Sequence, residues 1–135
     1  MFVYPTPKPA VLVAITVLAE AFGEYASVSA KLPIKRPAAF VRVSRVGGGL
    51  ANVASDTARI LVECFARDVA QVESMLNTAR TALRNAGGTT ISIGDEESAS
   101  IRGWGNENIV NDFPHPDIVD FERGQLTGDL TIKAN

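Results

Sequence analysis

FVRVSRVGGG at residues 40–49, RILVECFA at 59–66 and DVAQVESMLNTARTALRN at 68–85 decide the fold. The first is rich in β-branched residues, which suit a pleated, half-buried surface. Val41 and Val43 fall on one face and Phe40, Arg42, Ser44 and Val46 on the other, the period-two pattern of a strand. Gly47-Gly48-Gly49 reads as its end, because residues without a Cβ lose the most entropy on ordering. Arg59–Ala66 is apolar on both faces except at Glu63, which places it centrally in a sheet. The linker from Gly47 to Thr57 is longer than a tight hairpin loop, yet it encodes no crossover helix. The two strands are therefore expected to pair antiparallel.

From Asp68 the period becomes helical. Val69, Val72, Met75, Leu76, Ala79 and Leu83 recur at three- and four-residue steps, with Gln71, Glu73, Ser74, Asn77, Arg80, Thr81 and Arg84 opposite them. Asp68 is the expected N-cap and Gly87-Gly88 the stop. A second helical pattern covers Ala10–Tyr25, with Val11, Leu12, Ile15, Leu18, Ala19 and Phe22 on one face and Val13, Ala14 and Val17 widening it. Thr6 is its candidate N-cap, with Pro7 or Pro9 in the first turn. The apolar run Ala10–Ala19 has the length of a signal-peptide core, but prolines crowd its front and no small-residue cleavage site follows. A core helix is the better reading, and the run is too short to span a bilayer.

A chain of 135 residues with a 46% hydrophobic composition forms one domain, 1–135, with a substantial core. The net charge of −2 lacks the basic excess of a nucleic-acid grip. The single cysteine, Cys64, excludes a disulfide framework and reads as a buried small hydrophobe. Charge is unevenly spread. Residues 1–46 hold six Lys/Arg against two Glu (+4), whereas residues 94–122 hold eight Asp/Glu against Arg102 (−7). Such a subunit can attract copies of itself head to tail, and heterologous contacts of that kind close into rings. The alternative is two solvated surfaces.

The remaining segments are less regular. Ala26–Ala39 is a basic connector containing Lys31, Lys35 and Arg36; Thr89–Ile93 alternates like a short strand; Gly94–Glu97 is an acidic turn. That turn lacks the ligand spacing of a calcium loop. Ile101–Trp104 reads as a strand and Gly105–Asn108 as a turn or exposed loop. Asp112–Asp117 cannot be regular structure, because Pro114 and Pro116 forbid it. Leu126, Leu130 and Ile132 alternate with polar residues in a terminal strand, Gln125–Lys133, expected to pair within the main sheet.

Chemistry-bearing patterns are scarce. The three glycines are followed by neither the Lys nor the Ser/Thr of a phosphate-binding loop. Neither metal-ligand spacing nor a nucleophile elbow occurs. His115 beside Asp112 and Asp117 could form a base–carboxylate pair, but no nucleophile pattern stands near it. The chain therefore reads as a non-enzyme without a cofactor.

The order helix, basic connector, strand, glycines, strand, helix, variable segment and terminal strand is similar to the tail terminator family of long-tailed bacteriophages, especially those of actinobacterial hosts. FVRVSRVGGG (40–49), SDTARILVECFA (55–66) and NDFPHPDIVDFERGQLTGDLTIK (111–133) carry the resemblance. It implies an α+β subunit with two helices packed on a mixed, mainly antiparallel sheet. It also implies a homo-hexameric ring that caps the tail tube, ends its polymerisation and meets the head–tail connector. DNA would pass through the lumen without specific binding, and no membrane is involved. The protein would be assembled in the host cytoplasm and sit at the head-proximal end of the virion tail. On this reading Lys31, Lys35 and Arg36, with Asp95, Glu96, Glu97, Asp112 and Asp117, are candidate subunit or partner contacts. Trp104 is a candidate anchor, as an aromatic in a Gly/Asn-rich loop with little local core. A connector or stopper, a tail tube subunit, a small hydrolase using His115 and a monomeric binding domain are the competing readings.

Overall fold

A computed structural model describes residues 3–110 and 118–134. The chain runs α1 (Ala10–Phe22), β1 (Ser27–Ser29), β2 (Phe40–Asn52), β3 (Ser55–Ala66), α2 (Val69–Ala86), β4 (Thr90–Ser92), β5 (Ser98–Val110) and β6 (Glu122–Lys133). The strands form one sheet in the order β1-β2-β3-β6-β5-β4. β1 lies parallel to β2, and every other neighbouring pair is antiparallel. The fold is thus α+β, with the mixed, mainly antiparallel sheet and two helices that the sequence implies.

Both helices pack on one face. Val41 and Val43 of β2, Ala58, Ile60, Val62, Cys64 and Ala66 of β3, and Leu126, Leu130 and Ile132 of β6 point into the layer between. There they meet Val13, Ala14, Leu18 and Phe22 of α1, and Val72, Met75, Leu76, Ala79 and Leu83 of α2. Each fully buried Leu, Ile, Val or Met contributes roughly 1.5–3 kcal/mol over leaving it exposed. α2 approaches β6 closely because Gly124 has no Cβ: one added there would lie 2.6 Å from Leu76 Cδ1 and 2.7 Å from Val72 Cγ1. α2 starts where its sequence says, with the Asp68 carboxylate accepting a hydrogen bond from Gln71 N at 2.8 Å.

The opposite sheet face is polar except at one end. There Phe40 and Phe65 stack with ring centroids 4.5 Å apart, and Phe121 meets Phe40 edge-on at 5.1 Å. Ile118 completes this small second core, and Arg67 lies 4.3 Å over the Phe121 ring.

Four local expectations are corrected. β2 does not stop at Gly47 but continues to Asn52, and β3 starts at Ser55 rather than Arg59, so the connection is a tight hairpin. The glycines serve the ribbon: the register shifts between Arg45 and Gly47, and Gly48 takes φ +92°, where a Cβ would collide with the Thr57 carbonyl oxygen. The Asn52 side chain accepts from Ala54 N at 2.8 Å and closes the turn. Gly105–Asn108 is not a turn but part of β5, whose pairing with β6 slips between Ile101 and Gly103 and again between Gly105 and Asn108. The basic connector contains β1, paired with Phe40–Arg42. Finally, α1 is preceded by Pro9 as N-cap residue without a side-chain cap, not by Thr6, and it ends at Phe22 before Gly23 at φ +58°.

Candidate subunit interface

The sequence-predicted contact residues lie at separate corners of the sheet. Lys31, Lys35 and Arg36 are exposed in the loop between β1 and β2, beside the start of β2. Asp95, Glu96 and Glu97 are exposed in the turn between β4 and β5, at the opposite edge. Strand register also puts them at opposite ends: the start of β2 pairs with Phe65, whereas the start of β5 lies by Ile132 and, through it, Asp56. The two charged groups therefore do not meet within one subunit. Glu97 is partly engaged by Lys8 at 3.5 Å. Asp112, Asp117 and His115 lie outside the described residues.

Trp104 stands on β5, not in a loop. It is half-buried against the main core, its ring covers Gly128 of β6, and its indole Nε1 donates to Glu107 Oε1 at 2.8 Å. The second slip in β5 explains how one strand serves two faces. Asn106, at φ +53°, donates from Nδ2 to Asp129 Oδ2 at 2.8 Å on the polar face. Glu107 turns to the helix side and receives Arg80 Nη2 at 2.6 Å, with Arg84 at 3.5 Å.

The polar sheet face is an array of matched charges. Buried Glu63 accepts from Arg123 Nη1 at 2.6 Å and has Arg42 Nε at 3.7 Å. Arg59 donates to Asp129 Oδ1 at 3.1 Å and to Thr127 Oγ1 at 3.2 Å, and the hydroxyls of Thr57 and Thr131 meet at 3.0 Å. Sequence reasoning missed this array, since its partners are far apart in the chain; Glu63 alone, a carboxylate in an apolar run, was a signal.

Two of these carboxylates are held below the ordinary range. At Glu107 burial alone would push the value up, but hydrogen bonds from Arg80 and Trp104 and the charges of Arg80 and Arg84 together outweigh it. At Asp129 the Asn106 hydrogen bond lowers it most, partial burial opposes, and Arg59 lowers it further. A depressed folded-state value stabilises the fold fully above the unfolded-chain value, roughly 4 for both groups, and that stability is lost as pH falls through the folded value. The melting temperature should thus hold on acidification to about pH 5 and then fall, with Glu107→Gln giving a shallower acid limb. An unchanged limb in that variant would show that the cluster contributes nothing.

Cys64 is fully buried in the centre of β3, and burial, aided by the Glu63 charge, pushes its thiol up to about 12. The thiolate is the reacting species, so native protein should resist alkylation at neutral pH and label only on unfolding. Rapid labelling of native protein would contradict the placement of β3.

An open groove of about 770 Å³ between the helices is lined by Ala21, Ala70, Ser74, Asn77 and Thr78, with Glu73 its titratable residue. Among the described residues no three His, Cys, Asp or Glu side chains are grouped to hold a metal, and no helix is long and apolar enough to cross a membrane.

No protein-family model matches this chain, and no curated protein matches it. Among solved structures it is similar to a chain from the virion of a native gene transfer agent particle. The likeness covers 93% of each chain at 13% identity and a TM-score of 0.51. At that identity the likeness shows a shared fold.

Proposed function

We propose that this chain is a structural virion protein that forms the ring ending a tail tube and joining the tail to the head. The observation that carries this reading is the fold shared, over nearly the whole of both chains, with a component of a gene transfer agent virion. The terminator-like segments at 40–49, 55–66 and 111–133 narrow it to that role. Copies of the chain, the tail tube protein and the head–tail connector are its partners.

The geometry supports the reading in two ways. With α1 and α2 on one face, the polar face is left for a lumen. Its arginines stand beside carboxylates, Arg42 and Arg123 sharing Glu63 and Arg59 on Asp129. Such a surface passes DNA without holding it, because tight binding needs cations free to displace phosphate counterions. Lys31, Lys35, Arg36, Asp95 and Glu96, exposed in the loops before β2 and β5, are the candidates to meet neighbours.

Deleting the gene from its phage tests the role. Over-long tubes without heads are expected. Loss of tubes would make the chain a tube subunit, finished tails that fail to join heads would make it a stopper, and normal particles would overturn the proposal.

A further inference from the structure

The subunit has two bare strand edges that match each other. β1 covers β2 only at Phe40–Arg42, and β4 covers β5 only at Ser98–Ser100, with Thr89 reaching Ile101. Among the described residues the outer edges of Val43–Asn52 and of Arg102–Val110 carry no strand. A bare edge invites another strand, and proteins usually guard it with charge or proline. Gly47–Asn52 has neither; it contains Leu50 and is flanked by Val46 and Val53, which are 62%, 55% and 53% exposed.

Glycine placement supplies a separate observation. Gly48, Gly124 and Gly128 are required within the subunit, because a Cβ at each would collide with a neighbour. Gly49 on β2 and Gly103 and Gly105 on β5 are not: a Cβ there meets nothing within 4 Å, and none has positive φ. Glycine inside a strand weakens it by roughly 0.5–1 kcal/mol relative to Ala, and such a glycine marks close approach by another backbone. Gly49 and Gly105 lie on the bare edges, while Gly103 stands at the start of one, where the backbone of Gly87 comes near its α-carbon.

Strand direction identifies the occupant. Along β2-β3-β6-β5 every neighbour is antiparallel, so β2 and β5 run in opposite directions at opposite sides of the sheet. Copies related by rotation about an axis along the strands present β2 of one to β5 of the next in the antiparallel sense. We propose that the Val43–Leu50 edge of β2 pairs antiparallel with the Arg102–Val110 edge of β5 in a second copy, since through β3 and β6 Gly47 stands level with Gly105 and Gly49 with Gly103. This rests on the ring reading above and assigns its subunit contact to backbone pairing rather than to the charged corners.

The test uses the full chain, the double variant Gly103→Val/Gly105→Val and the variant Leu50→Lys. Native mass spectrometry and light scattering are run across concentration, with amide hydrogen exchange on the assembled and dilute forms. The open space at Gly103 and Gly105 and the exposure of Leu50 mean that the variants keep the wild-type circular dichroism and melt no lower. Expected is a wild-type oligomer with protected amides in 43–50 and 102–110, and variants whose half-assembly concentration rises about tenfold or more. Oligomers indifferent to these substitutions, with the edge amides still exchanging fast, overturn edge pairing and leave the ring reading intact. A wild-type chain that stays monomeric to millimolar concentration also overturns edge pairing, and the ring reading then stands or falls on imaging of particles.

Discussion

Glu63→Ala should cost the fold about 3–5 kcal/mol, the usual penalty for breaking a buried ion pair by removing one member. Glu63 is 4% and Arg123 6% exposed, and they meet at 2.6 Å across the central strand pair β3–β6. Removing the carboxylate takes from Arg123 its 2.6 Å partner inside the sheet, whereas Arg42 retains a route to water through its partly exposed side chain. Replacing both partners with apolar residues of similar volume, Glu63→Leu with Arg123→Met, should recover much of the loss, since buried pairs are often replaceable as a unit. Urea unfolding of the single and double variants measures both. A single-variant loss under about 1 kcal/mol would mean that the pair behaves as a surface ion pair.

The second large effect is expected at Gly128. A Cβ there would enter the Trp104 ring, touching Cε2, Cζ2 and Cη2. Gly128→Ala therefore has to expel the indole, at about 1–3 kcal/mol for overpacking. Expulsion also breaks the Nε1–Glu107 bond and loosens the carboxylate that ties Arg80 of α2 to β5. Trp104 is the chain's single tryptophan, so its emission should shift to the red in Gly128→Ala. Trp104→Ala combined with Gly128→Ala should cost less than the two separate losses added together, because one contact is removed twice. Full additivity, or unchanged emission, would show that ring and glycine do not touch.

The parts of the fold that were legible in the sequence are those where local pattern and tertiary burial agree. Alternation in Phe40–Val46 and Gln125–Lys133, the apolar run of β3 and the helical steps of α2 each report the face that ends up buried. β5 was only partly legible. SASIRGWGNENIV has no sustained alternation, because two register slips against β6 reset which residues face the helices. Gly47–Gly49 read as a stop on intrinsic preference, yet pairing with β3 overrode it, and only glycine fits at Gly48. Trp104 read as a loop aromatic for the same reason: its partner, Gly128, lies on another strand. The charged candidates at 31–36 and 95–97 were legible as exposed groups, but their diagonal separation follows from strand order and register, which no local pattern encodes. The matched charges of the polar face join residues as far apart as Glu63 and Arg123, and only the sheet brings them together.

The central claim, that this chain is the ring at the head-proximal end of a virion tail, is tested most directly by electron microscopy of particles labelled on this protein. The account predicts a single labelled ring where tail meets head. Label along the whole tube, or none on the particle, would contradict it.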